Sequence, residues 1–423
     1  MTTLIIGLIL LLLALYGTPL FVIISAIALL AFHLAEIDSS AVIIELYRLA
    51  SQPILLAIPL FTFAGYLLAE SNTPKRLVNL SRMLLGWMPG GLAIVALFSC
   101  AIFTAFTGAS GVTIIALGGL LYPVLLNENY PENFSLGLLT SSGNLGLLFP
   151  PSLPVLLYGL VAQTSIDQLF LAGLLPGILM VVLLALYSAF FIKKKKLTLA
   201  GKKHSLADVW AAIKEAGWEI PLPFIILSGI YGGFFTATEA AAVTAFYVLI
   251  VEVFIYRDIS IRSDLPRVIR KSMILVGGIL VILAAALGLA NYMVDAEIPN
   301  QILDFMGQYI HSKIGFLLIL NLFLLVVGAM MDIFSAIMVV VPIIIPIAHS
   351  FGVDPVHLGI IFLVNLGIGY STPPVGMNLF IASFRFDKPV LKLYAATVPF
   401  LIILLISLII ISYWPALSLW LVY

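Results

Sequence analysis

Apolar runs of near-spanning length recur along the whole chain, separated by short polar or proline- and glycine-containing interruptions. A helix needs about 20 such residues to cross a bilayer. The pattern predicts simple spans over 41–69, 169–192, 273–293 and 394–414. The opening "MTTLIIGLILLLLALYG" has no basic segment before its apolar run and no small-residue cleavage site. It reads as a retained first span, not a signal peptide. Two runs are too long for one crossing. Residues 91–126 are broken at "FTGASG" (106–111), and 314–349 at "GAMMDIFS" (328–335), so both read as re-entrant helical hairpins with midplane tips. Two more, 134–163 and 356–384, carry prolines near their centres: Pro150, Pro151 and Pro154 in one, Pro373 and Pro374 in the other. Each proline removes an N–H and clashes with the carbonyl four residues back. The expectation is a pair of broken helices with unpartnered carbonyls at Gly146, Leu147 and Pro150, and at Gly369 and Tyr370. Hydrocarbon tolerates such groups only where protein or a water-filled cavity surrounds them.

Composition narrows the class. The chain is 62% hydrophobic and 9% charged with a formal net charge of zero. A soluble domain carries about 25% charged residues, so this is an all-α polytopic membrane protein, and nothing suggests nucleic-acid binding. The single Cys100 lies in an apolar run and reads as a buried, inert thiol; His33, His204, His311, His349 and His357 show no metal-ligand spacing.

Charge then orients the spans. Eighteen of the twenty Lys and Arg fall in four clusters: Lys75–Arg82, Lys193–Lys214, Arg257–Lys271 and Arg385–Lys392. The positive-inside rule makes all four cytoplasmic. Residues 134–163 then run outward from a cytoplasmic "NENYPEN" (127–133), so the 91–126 hairpin enters from the cytoplasm. Residues 356–384 run inward to Arg385, and the 314–349 hairpin enters from outside. Both termini come out external.

The two halves repeat. "NLGLLFPPSL" (144–153) and "GIGYSTPPVG" (367–376) align at an offset of 223, matching Gly146 with Gly369, Pro150 with Pro373 and Pro151 with Pro374. Pro123 and Pro346 keep that offset, and Pro74 and Pro299 precede two similar amphipathic patterns. Opposite orientations assigned on charge alone make this an inverted-topology repeat, an architecture of secondary transporters. The organisation expected is N-terminal scaffold helices over 1–70 and a first repeat over 71–163. Scaffold helices follow over 164–293, including a basic loop and interfacial helix at 193–219. A second repeat over 294–385 and a C-terminal span over 386–423 complete the chain.

Chemistry concentrates at the interruptions. Carbonyl and hydroxyl oxygens with little formal charge, including Ser371 and Thr372, suit a hard monovalent cation, in practice Na+. Asp332 is the carboxylate in the second tip, and an ionisable residue at that depth is a functional candidate by default. It reads either as a cation ligand or as a capping residue. The first tip offers Thr104, Thr107, Ser110 and Thr113, with Gly108 and Gly111 permitting close backbone approach. Asn144 and Asn378 flank the two breaks and face ion, substrate or neighbouring backbone. In "GGFFTATEAAAVTAF" (232–246), Thr236 or Thr238 caps the following helix with Glu239 in its first turn, or these three add to the transport site. No general base, paired aspartate, HExxH or Walker motif accompanies any of these residues, so neither an enzyme nor ATP-driven transport is expected.

"TGASGVTIIALGG", "GNLGLLFPPSLPVLLYG", "GGFFTATEAAAV" and "YSTPPVGMNLFIASF" resemble the large membrane subunit of TRAP (tripartite ATP-independent periplasmic) transporters, across essentially the whole chain. That family is similar to the elevator-type transporters of the ion transporter superfamily. The resemblance implies Na+-coupled uptake of a small organic anion (a C4-dicarboxylate, sialic acid or 2-oxo acid) delivered by a periplasmic solute-binding protein. It also implies a small four-helix membrane subunit as a separate chain, and a multi-pass location in a bacterial or archaeal cytoplasmic membrane, in contact with lipid. One Na+ site would take Thr107, Gly108, Ser110, Gly146, Phe149 and Pro151. Another would take Asp332, Gly369, Thr372, Pro374 and Met377. Ser110, Asn144, Ser152, Ser371 and Asn378 are the corresponding candidate substrate contacts. Family tips are often richer in serine than this one, where Ala109 stands in the motif. The rival reading is a self-sufficient Na+/dicarboxylate carrier that works without a binding protein.

Overall fold

A computed structural model describes residues 18–38, 52–88, 90–194, 205–307 and 309–423, together with positions 12, 13, 40, 43, 44 and 47. The expected first span at 1–17, the start of 41–69 and most of the basic loop therefore lie outside the described residues, apart from isolated positions.

In chain order the helices are α1 (Leu20–Leu34), α2 (Ala57–Glu70), α3 (Thr73–Leu85), α4 (Gly91–Thr107) and α5 (Ser110–Asn127). Next come α6 (Glu132–Ser142), α7 (Leu153–Val161), α8 (Ile166–Lys194), α9 (Leu206–Glu215), α10 (Pro221–Tyr231) and α11 (Ala237–Ile250, extended by a π turn Val251–Ile255). The later half holds α12 (Asp264–Asp295), α13 (Ile298–Gly307), α14 (Lys313–Met330), α15 (Ile333–Ser350), α16 (Pro355–Gly369), α17 (Met377–Phe386), α18 (Val390–Tyr413) and α19 (Ala416–Leu419). Among the described residues, seven helices are long and apolar enough to cross a membrane, or eight if the α6–α7 pair, bent by 47°, is one span. A chain in hydrocarbon must satisfy its backbone within the segment; the described segments accordingly form helices.

Both over-long runs fold back on themselves as helical hairpins. In the first, Gly108 takes a left-handed turn at φ 65°, and the hydroxyls of Thr104 and Thr113 meet across it at 2.6 Å. The second folds back at Met331–Asp332. Its open ends meet where Phe316 stacks on Phe351 at 4.6 Å between ring centroids, and Lys313 Nζ donates to the Gly352 carbonyl at 2.6 Å. The broken helices are α6–α7 and α16–α17. The amphipathic helix expected at 193–219 is α9, shorter in its described part. Ser205 caps it through a box closed by Asp208, and Trp210 stays exposed on it.

Candidate functional site

Each break glycine sits where a side chain would not fit. A Cβ on Gly146 would lie 2.2 Å from the Ala101 carbonyl oxygen and 2.5 Å from the Ala105 nitrogen. A Cβ on Gly369 would lie 2.5 Å from the Gly328 carbonyl carbon. Gly146 against Ala105 and Gly369 against Gly328 are the same contact moved by 223 positions, so both breaks press on the first limb of their own hairpin. Gly146→Val is expected to abolish accumulation of monodisperse protein, since helix backbone, not a flexible side chain, occupies the space. Normal yield and gel-filtration behaviour of that variant would contradict the packing.

Four buried side chains join the two halves at this level. Ser110 Oγ donates to Asn378 Oδ1 at 2.9 Å, and Asn378 Nδ2 donates to Asn144 Oδ1 at 2.8 Å. Asn144 Nδ2 in turn donates to Ser371 Oγ at 3.0 Å. The chain therefore runs from the first tip to the second break, back to the first, and again to the second. Thr104 Oγ1 anchors the first limb by donating to the Gly143 carbonyl at 3.0 Å.

The carbonyl expectation needs correction. The first break tightens into a 3₁₀ turn, Leu145–Leu148, so the Gly146 carbonyl accepts from Phe149 N–H at 3.1 Å. The second does likewise: Gly369 accepts from Thr372 N–H at 2.9 Å, and Tyr370 accepts from Asn378 N–H at 3.0 Å. Proline removes the i+4 donor, and a tighter turn or the start of the next helix supplies another. Leu147 is different. Prolines stand at both of its i+3 and i+4 positions, so no helical N–H is available to its carbonyl.

The remaining candidates are placed as follows. Thr107 Oγ1 donates back to the Phe103 carbonyl at 3.0 Å. Gly108 lies against Leu153. Phe149 is half-buried, Pro151 is buried, and Ser152 is fully buried with no partner for its hydroxyl. Thr372 Oγ1 donates to the Ile368 carbonyl at 2.9 Å. The Pro374 carbonyl already accepts from the Tyr394 hydroxyl, while Met377 is exposed. Asp332 is the N-cap of α15: its Oδ1 accepts from the Phe334 and Ser335 N–H groups at 3.0 Å each, and its Oδ2 from the Ser335 hydroxyl. The same tip is held by Gly376 N–H donating to Ala329 O at 2.9 Å and by Ile333 N–H donating to the Tyr370 hydroxyl. Thr236 and Glu239 form a capping box on α11, and Thr238 Oγ1 donates to the Pro53 carbonyl at 3.3 Å. The hydrogen bonds of these three therefore do not reach the breaks.

Sequence reading missed one buried cluster. Arg76, counted above as part of a cytoplasmic positive patch, is buried. Its guanidinium donates through Nε to Glu219, through Nη1 to Asp258 at 2.7 Å and through Nη2 to Glu252 at 3.2 Å. It also lies over the Tyr256 ring at 3.8 Å. The available signal was Glu252, a carboxylate inside the apolar run of α11, to which the same depth argument applied as to Asp332. Burial raises the Glu219 carboxyl above its ordinary value, with Arg76 pulling the other way. At Asp258 burial is outweighed by hydrogen bonds from Asn72 and Arg76, which hold its carboxyl below the usual range.

The site between the breaks is thus built from hydroxyls, carboxamides, backbone carbonyls and one carboxylate. Oxygen donors of this kind are suited to coordinate a cation and to hydrogen-bond a polar solute; the Ser110–Asn378–Asn144–Ser371 chain pairs no nucleophile with a general base. Known proteins match the same architecture. The family model for the tripartite ATP-independent periplasmic transporter, DctM component, matches residues 5–417. The C4-dicarboxylate TRAP transporter large permease protein DctM of Pseudomonas aeruginosa is 38% identical over 394 residues, covering 93% of this chain and 91% of that protein. The isethionate TRAP transporter permease protein DctMQ of Oleidesulfovibrio alaskensis is 37% identical over 362 residues, covering 86% of this chain and 57% of that one. The ectoine/5-hydroxyectoine permease UehC of Ruegeria pomeroyi is 33% identical over 368 residues, covering 87% and 85%. The crystal structure of the Alcanivorax borkumensis YdaH transporter shares the fold, with a TM-score of 0.65 at 14% identity over 89% of this chain and 88% of that one. With the hairpins, paired breaks and spans of a permease, and a match running over nearly its whole length, the chain belongs to the DctM family: it is the large permease of a TRAP transporter, a multi-pass inner-membrane protein and not an enzyme.

Proposed function

We propose that this permease performs Na+-coupled uptake of a small organic anion handed over by a periplasmic solute-binding protein, with a small four-helix membrane subunit as a separate chain. The observation that carries the reading is the buried Ser110–Asn378–Asn144–Ser371 chain, which unites the first tip and both breaks in one polar locus. One Na+ sits among Thr107, Gly108, Ser110, Gly146, Phe149 and Pro151, and the buried, unpartnered Ser152 hydroxyl lies next in sequence. Another sits among Asp332, Gly369, Thr372, Pro374 and Met377. A carbonyl oxygen has two lone pairs, so one accepted hydrogen bond still leaves Gly146 and Gly369 able to ligate. With no Lys or Arg in either break, the bound Na+ and helix N-termini supply the positive potential for an anion.

The repeat supports inverted topology and an elevator movement of hairpins and broken helices against a scaffold. An apolar cavity of about 430 Å³ supports it further. Phe98, Phe106 and Phe149 line one side; Ile178 and Val182 of α8 and Leu227 of α10 line the other. A seam without hydrogen bonds across it slides at low cost. The relatives named for C4-dicarboxylates, isethionate and ectoines indicate compact polar solutes. The DctMQ relative, of which this chain spans 57%, supports a second membrane component in the system.

Uptake into proteoliposomes, scanned over external Na+ with and without both partner proteins, tests this. The expected result is uptake that rises cooperatively with Na+ and needs both partners. Uptake by this chain alone would establish the self-sufficient carrier, and indifference to Na+ would remove the ion sites.

A further inference from the structure

Around Arg76, one cation faces two buried carboxylates, Glu219 and Glu252, and a third, Asp258, that is only partly buried. If Glu219 and Glu252 were both ionised, the buried groups with Arg76 would carry one net negative charge away from water, before Asp258 at the edge adds another, and such a charge is costly. Its hydrogen bonds show where the excess is relieved. Asp258 has its own supply of donors: Arg76 Nη1 at 2.7 Å, and Asn72 through its backbone N–H and its side chain, both at 2.9 Å. Glu219 and Glu252 instead converge on one hydroxyl. Thr73 Oγ1 lies 3.2 Å from Glu219 Oε1 and 2.9 Å from Glu252 Oε1. A hydroxyl has a single proton to donate, so it can donate to only one of them. Ser71 Oγ at 2.9 Å and Arg76 Nη2 at 3.3 Å donate to the same oxygen, so the second carboxyl gets no hydroxyl donor there and its charge goes unrelieved unless it is protonated.

We infer that Glu219 and Glu252 hold one proton between them at neutral pH, the Thr73 hydroxyl donating to the carboxylate left ionised, and that this proton keeps α3 docked against α11. Thr73 Oγ1 lies within reach of both carboxyls, while Arg76 Nε donates to Glu219 and Arg76 Nη2 to Glu252 from the other side. The charged and titratable groups facing the pair are Arg76 from α3, Tyr247 from α11, and Tyr256 and Asp258 from beyond α11, while the nearby Glu215 at the end of α9 is turned to Asn79. Tyr256 OH lies 3.1 Å from Glu219 Oε2, and Glu215 accepts from Asn79 at 2.7 Å. On the adjoining α2, Glu70 holds Lys271 at 2.6 Å and Arg267 at 3.5 Å of α12, so those two cations are engaged away from the cluster. The upward displacement of the Glu219 carboxyl by burial agrees with this arrangement.

Linkage fixes the sign. An unfolded Glu titrates near pH 4.3, so at neutral pH the native state binds about one proton more than the unfolded state, and stability falls as pH rises. The test uses the purified permease in lipid nanodiscs. Infrared difference spectroscopy between neutral and alkaline pH is expected to show the carbonyl stretch of a protonated carboxyl in the wild type. That band should be absent from both Glu219→Gln and Glu252→Gln, because either amide supplies the missing hydrogen. Thermal unfolding of the same samples should show the wild-type midpoint falling with rising pH and a flatter profile in each Gln variant. No protonated-carboxyl band in the wild type would overturn the inference, as would a band that survives in both variants. If the variants do not fold, the wild-type titration alone decides.

Discussion

Arg76→Met is expected to lower the stability of the permease by about 3–5 kcal/mol, the cost of leaving buried charges without their partner. Three carboxylates depend on that guanidinium, one on each of its arms. Arg76→Lys should not restore the loss, because an ammonium is a single point charge and cannot direct donors to three partners in a plane. The variant should recover partly at acidic pH. Without Arg76, the folded-state affinities of the carboxyls for protons increase, and that of Glu219, already above its ordinary value, goes higher still. Their protonated forms are then compatible with burial, and stability present at low pH is lost as pH rises. Detergent-solubilised yield and unfolding midpoint, read at acidic and neutral pH, check this. Equal midpoints for Arg76→Met and wild type at neutral pH would show that the cluster holds nothing together.

At Asp332 two functions of one side chain must be separated. As an N-cap it accepts two backbone N–H bonds at 3.0 Å, and Asn caps a helix about as well as Asp. Asp332→Asn therefore keeps the cap and removes the charge. If the carboxylate is an ion ligand, Asp332→Asn loses Na+-driven uptake by about tenfold or more while expression and unfolding midpoint stay near wild type. A tenfold loss corresponds to about 1.4 kcal/mol, which is modest for removing the one formal anion from a cation site. Asp332→Ala removes cap and charge together, and should lose uptake entirely at a stability cost of about 1 kcal/mol. Near-normal uptake by Asp332→Asn would leave the residue as a cap alone.

Much of the architecture was legible because membrane helices are specified locally. Every backbone group in hydrocarbon needs a partner within its own segment, so apolar run length, the glycines at 108 and 111 and the prolines at 150–151 and 373–374 mark where helices run and break. The offset shared by Gly146 and Gly369 predicted a shared environment, and both glycines do press on their own hairpin's first limb. The polar residues flanking the breaks were also readable, as Ser110, Asn144, Ser371 and Asn378 show. Their order of connection was not, since Ser110 and Asn378 are 268 positions apart and only packing brings them to 2.9 Å.

What the sequence determined by itself was the class, the spans, the hairpins, the breaks and the repeat, because each follows from backbone satisfaction and run length. What only the tertiary structure decided was how freed groups are spent. Tight turns took up the Gly146 and Gly369 carbonyls, the start of α17 took up that of Tyr370, and Asp332 turned its carboxylate to cap α15. Arg76 belongs to the same category. A run of basic residues fixes which side of the membrane a loop faces. Whether one of them snorkels to water or meets three carboxylates depends on a helix more than 170 positions away, and no local pattern carries that information.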